Sequence, residues 1–161
     1  MIRTTRSTRF AFVVALLLLA CEGTRVTPDA VAVPPPKRVP TVVFITDKGE
    51  VPALVDIAKT PTQREQGLMW VEHMADNRGM VFLMGPERIL SFWMKNTYIP
   101  LDMIFVNTKM EVVGVVANAE PHTLDPRRVD APSSYVVEVN AGWAERNGVR
   151  AGTKVRFEAV D

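Results

Sequence analysis

The chain has 161 residues, of which 47% are hydrophobic and 23% charged, with a formal charge of +1. Its basic excess belongs to Arg3, Arg6 and Arg9: beyond residue 21 there are 16 basic and 18 acidic residues, a formal charge of −2. No basic block remains there, which argues against a nucleic-acid partner. The only cysteine, Cys21, leaves everything downstream without disulfides, zinc–thiolate sites or thiol nucleophiles.

In chain order, the three arginines precede an uncharged apolar run from Phe10 to Ala20. A basic start, a short apolar stretch and a small residue at its end describe a signal peptide over residues 1–20. The run is well short of the ~20 residues that cross a bilayer. It ends in Leu18-Leu19-Ala20-Cys21, which resembles a bacterial lipobox, so Cys21 is expected to carry a lipid and to anchor the protein in a membrane. Residues 21–40 then read as a lipidated cysteine and a spacer. Pro28, Pro34, Pro35, Pro36 and Pro40 stand among small and polar residues, a composition that favours extended polyproline II. Glu22, in place of aspartate, fits sorting to the outer membrane, facing the periplasm.

Residues 41–161 are expected to form a single domain. Stretches 42–45 and 51–58 flank Asp47-Lys48-Gly49-Glu50, a hairpin signal. Thr60, Pro61, Gln63 and Gly67 supply the cap, first-turn proline, capping box and stop of a short helix. Further strands are predicted at 80–84, 90–94, 103–106, 112–117, 135–139 and 154–159, with a turn at Asn107-Thr108-Lys109. A second helix is predicted over 141–147, capped by Asn140 and stopped by Gly148, with Val149 folding back on Trp143 or Ala144. Residues 118–134, with three prolines, read as one long loop. Many short strands with two short helices and no long crossover helix predict a β-rich α+β domain. Its antiparallel or mixed sheet is expected to curl into a barrel- or sandwich-like form.

The densest segment is Phe92-Trp93-Met94-Lys95-Asn96-Thr97, followed by Ile99-Pro100-Leu101-Asp102 and an apolar strand. Together with Gly67-Leu68-Met69, Gly79-Met80-Val81-Phe82, Glu120-Pro121 and Val137-Glu138-Val139-Asn140-Ala141-Gly142, it resembles the domain-of-unknown-function 192 family over about residues 51–158. The resemblance implies a compact β-rich domain, often exported. It implies no activity, so no catalytic residue follows from it.

The residues themselves give two readings. A turn presenting Lys95, Asn96 and Thr97 beside the Trp93 indole, with Asp102, His122 and Glu138 as further candidates, has the groups to hold a small polar ligand, anionic or sugar-like. Alternatively, Lys95 and Asp102 pair to pin the turn while Asn96 and Thr97 satisfy its backbone. Glu138 lies inside an apolar strand, alongside Val136 and opposite in facing to Tyr135, Val137 and Val139. It is either a solvated outer residue, a buried carboxylate paired with Lys95 or an arginine, or a lone buried acid with a raised pKa. His73 is expected at the surface, and neither histidine stands at metal-ligand spacing. No phosphate loop, dinucleotide turn or nucleophile elbow is present, and no cofactor is expected. The expected function is a non-catalytic envelope module for a small polar ligand or a protein partner. The alternatives are an envelope hydrolase or transferase using Asp102, His122 or Glu138, and a purely structural domain.

Overall fold

The computed structural model describes residues 38–160; the expected signal peptide, Cys21 and nearly all of the expected spacer lie outside the described residues. A hairpin opens the domain. Strand β1 (Thr41–Thr46) turns through Asp47 and Lys48 into β2 (Gly49–Ala58), and Gly49 at φ 108° takes a conformation that suits glycine. Helix α1 (Pro61–Gln66) follows with its capping box complete: Gln63 donates its backbone N–H to Thr60 Oγ1 at 3.2 Å, and the Thr60 backbone N–H donates to Gln63 Oε1 at 2.9 Å. The remaining elements are β3 (Arg78–Arg88), β4 (Leu101–Val106), β5 (Val112–Ala119), β6 (Ser133–Asn140), α2 (Trp143–Asn147) and β7 (Lys154–Glu158).

The strands form one sheet in the order β5-β4-β6-β3-β2-β1-β7, and only β2 and β3 run parallel. That pair is joined by the α1 crossover, as parallel neighbours require. The sheet curls into a half-barrel, and its two edge strands meet at one corner. There Val112 N–H donates to Thr153 O and Val155 N–H to Met110 O, each at 2.9 Å, while Lys154 Nζ lies 2.6 Å from Glu111 Oε2. Unpaired edge groups are satisfied where the edges touch, which lowers the exposure that edges otherwise carry.

Side-chain alternation divides the core into two layers. Val42, Phe44, Val55, Val81, Ile104, Val137 and Val139 fill the inside of the curl, closed by Trp143 and Ala144 of α2, with the Trp143 ring edge-on to Phe44 at 5.5 Å. Phe82, Leu101, Met103, Phe105 and Val136 face the other way, and loops cover them with Leu68, Leu90 and Met94. Gly148 at φ 71° ends α2, and Val149 N–H returns to Ala144 O at 2.8 Å, packing Val149 into the inner layer as expected.

Three local expectations are corrected. Residues 90–94 are not a strand: a single bridge joins Phe92 to Arg127, through N···O distances of 2.9 and 2.8 Å. The segment is apolar because it lids the outer layer with Leu90 and Met94. Helix α2 starts later than expected, after Gly142 in the left-handed region. Asn140 is not its cap; its side-chain amide instead donates to Met74 O at 2.9 Å, holding the 67–77 loop. The long loop is also shorter, because β5 runs to Ala119 and β6 begins at Ser133.

Gly79 marks the tightest place in the sheet, since a Cβ there would sit 2.4 Å from Glu138 O and 3.1 Å from Val139 Cγ1. Gly79→Ala is expected to destabilise the domain by roughly 2–3 kcal/mol through overpacking of the β3–β6 ladder. Urea unfolding of the variant checks this.

Candidate functional site

Glu138 sits midway along β6 and is 4% exposed. Its cross-strand neighbours are Met80 on β3 and Met103 on β4, so no charged residue flanks it within the sheet. No hydrogen bond or ion pair reaches its carboxylate among the described residues. Burial alone pushes its pKa from the ordinary 4.5 up to about 8, the direction expected for an acid moved away from water. The third of the readings from sequence is therefore the one the structure bears out.

This side chain lines a small pocket of about 30 Å³, walled by α1 and the loop after it (Arg64, Gln66, Gly67, Met69) and by Phe92, Trp93, Lys95 and Thr97 of the lid loop. Beside it runs an apolar groove of about 480 Å³ over Met84, Leu124 and Pro126, and the two depressions share Arg64, Glu65, Phe92 and Trp93. Arg64 donates Nη1 to Leu83 O at 2.7 Å, and the Lys95 ammonium lies 5.7 Å from the centroid of the exposed Trp93 ring, within cation–π range.

Asp102 is elsewhere. It opens β4 on the inner face, opposite Val139, whereas Glu138 faces outward opposite Met103. Its buried carboxylate accepts three backbone N–H groups: Asn118 at 2.9 Å and Gly142 at 3.1 Å on Oδ1, and Ala144 at 2.9 Å on Oδ2. The Lys95–Asp102 pair considered from sequence is thus not formed. Asp102 ties β4 to the end of β5 and to the first turn of α2, doing there the work expected of Asn140.

Asn96 and His122 belong to the rim. Asn96 turns the lid loop at φ 52°, and Thr97 N–H closes that turn on Met94 O at 3.2 Å. Trp70 at φ 67° donates its backbone N–H to Asn96 O at 2.9 Å, and His122 at φ 60° donates to Thr97 O at 3.2 Å. Three non-glycine residues in the left-handed region are thus knotted together, a concentration of backbone strain of the kind held at functional surfaces. Outside the knot, the Tyr98 ring contacts Trp70 edge-on at 5.8 Å and His122 at 5.1 Å.

Of the seven residues singled out from sequence, Trp93, Lys95, Thr97 and Glu138 share the pocket, and Asn96 and His122 brace its lid. Asp102 is separated from Glu138 by the sheet itself, so the acid–base set of Asp102, His122 and Glu138 is not assembled. Sequence reasoning missed Arg64, Met69 and Phe92 as pocket walls. For Met69, the resemblance at Gly67-Leu68-Met69 was the available signal; Phe92 was seen, but as a strand residue.

A fold and a pocket of this kind define a compact β-rich domain with one curled mixed sheet. The family model described as Uncharacterized ACR, domain of unknown function 192, matches residues 43–157, and the chain belongs to that family. No curated protein matches it. Among solved structures it is similar to a protein of Sinorhizobium meliloti 1021 described as a candidate transcription regulator, at 39% identity and a TM-score of 0.71 over 74% of this chain and 94% of that one. It is also similar to a protein of unknown function from Novosphingobium aromaticivorans, at 36% identity and a TM-score of 0.70 over 72% of this chain and 83% of that one.

The two buried acids make opposite predictions. Asp102→Ala leaves buried N–H groups unpaired and is expected to cost roughly 3–5 kcal/mol in urea unfolding. Glu138 is protonated in the folded state at pH values where the unfolded chain has already ionised. Stability therefore falls as pH rises from about 4.5 through 8, and the raised pKa corresponds to about 4–5 kcal/mol above pH 8. Glu138→Gln is expected to be more stable than the wild type at pH 8.5, with the difference shrinking towards pH 5. Unfolding curves of both proteins at the two pH values check it.

Proposed function

We propose that this chain is a lipid-tethered module of the bacterial envelope that binds a small polar ligand in the Glu138 pocket. One observation carries the binding reading: a buried carboxylate without a partner among the described residues lines a surface depression. Burying an acid unpaired is costly, and here that cost is met at the surface of a pocket. The strained knot at Trp70, Asn96 and His122 holds the lid in one shape, which favours binding by keeping the site preorganised. The envelope part rests on the sequence: the signal over residues 1–20, the lipobox-like Leu18-Leu19-Ala20-Cys21 and the proline-rich spacer.

The description of the Sinorhizobium protein is not carried over, because beyond residue 21 the chain has no surplus of basic over acidic residues and several of its cations pair with acids. Arg78 pairs with Asp56, Arg146 with Asp76, Arg150 with Asp47, Lys154 with Glu111 and Arg156 with Glu50. Phosphate backbones need a surplus of such cations on one face.

The test is thermal unfolding of the purified protein with separate panels of amines, carboxylates, sugars and phosphates, compared with Glu138→Gln and Trp93→Ala. A ligand at a hundred times its Kd stabilises by about 2.7 kcal/mol, so at least one panel is expected to raise Tm by several degrees in the wild type and not in Glu138→Gln. Equal responses in both proteins, or none, would overturn the binding reading. For the tether, Cys21→Ser is expected to move the protein out of the membrane fraction and to abolish labelling by a palmitate analogue.

A further inference from the structure

Resting on the binding reading above, we infer that the ligand is a primary amine with an apolar body, its ammonium held by Glu138 and its body in the adjoining groove. The argument starts from what Glu138 lacks. Its carboxylate is an acceptor with no donor, and a partner that offsets its desolvation best brings both positive charge and N–H groups. None of the described residues supplies that partner. Met80 and Met103 stand on either side in the sheet, and the charged groups that line the pocket from α1 and the lid are Arg64, Glu65 and Lys95. Arg64 donates to Leu83 O, and the Lys95 ammonium lies over Trp93.

Size narrows the cation. The pocket of about 30 Å³ has room for about two water-sized groups, which suits an ammonium and is too small for a guanidinium or a trimethylammonium head. Phe82, Phe92 and Trp93 line the same pocket, and aromatic rings favour a cation within reach. The groove joins the pocket at Arg64, Glu65, Phe92 and Trp93 and is lined beyond them by Met84, Leu124 and Pro126, so an uncharged chain attached to the ammonium buries surface there. Proton linkage follows. Binding an ammonium uses ionised Glu138, and a carboxyl that titrates near 8 must lose its proton first, so affinity rises with pH while the amine stays charged, up to about pH 10.

Isothermal titration of the purified protein with n-hexylamine, hexyltrimethylammonium and 1-hexanol decides the matter. Hexylamine is expected to bind, its affinity rising about tenfold between pH 6 and 7 and levelling off above 8. The trimethyl analogue and the alcohol are expected to bind at least tenfold more weakly. Glu138→Gln, checked for folding by circular dichroism, is expected to lose hexylamine binding. Equal binding of hexanol, a flat pH profile or undiminished binding by Glu138→Gln would each overturn the amine assignment. Hexanoate, or another ligand that is not an amine, binding in a Glu138-dependent way in place of hexylamine would overturn that assignment and leave the pocket reading standing. No Glu138-dependent ligand of any class would overturn both.

Discussion

The carboxylate of Asp102 is the constraint on which the arrangement of this domain depends. It sits within the inner apolar layer, where an acid is stable only if donors surround it. The donors come from two places distant from it in sequence, Asn118 and the Gly142–Ala144 turn, at 2.9–3.1 Å. Two of these, Asn118 and Gly142, have positive φ, so the hydrogen bonds also hold backbone turns that would otherwise relax. One side chain thereby sets where β5 ends and where α2 begins. With α2 seated, Trp143 reaches Phe44 and closes the inside of the curl.

Glu138 is the counterpart on the other face, one strand away. The same sheet buries both acids, yet the outer layer gives Glu138 methionines where the inner layer gives Asp102 backbone N–H groups. Because the two residues occupy cross-strand positions offset by one, alternation sends them to opposite sides. That offset separates a structural role from a chemical one. An acid that is fully bonded is silent towards ligands, and an acid left without a donor remains available to them.

The lid over the outer layer completes the division. Its loops bury Leu90 and Met94 and keep Trp93 and Lys95 outward, and the backbone knot of Trp70, Asn96 and His122 binds three separate loops together. The curled sheet beneath, with its β5 and β7 edges joined at one corner, is a rigid base for such loops. Function carried on loops over a stiff scaffold is a common division of labour.

Much of this was legible in the chain. The capping box at Thr60 and Gln63, the Gly49 turn, the Gly148 stop with its Val149 contact, and the alternation that sets Glu138 apart from Val137 and Val139 are local features. Each depends on residues within a few positions of one another, so a linear reading finds them. The family was legible too, from the run Phe92–Thr97 and its companions. The strand expected at 90–94 failed because an apolar lid and an apolar strand have the same composition, and only a pairing partner tells them apart. Whether Glu138 is solvated, paired or alone, whether Asp102 meets Lys95 or the α2 turn, and that Arg64 and Met69 join Trp93 around one pocket were decided by tertiary structure. Those outcomes depend on strand order and on which loop crosses which face, and contacts between residues distant in sequence leave no periodic trace in a single sequence.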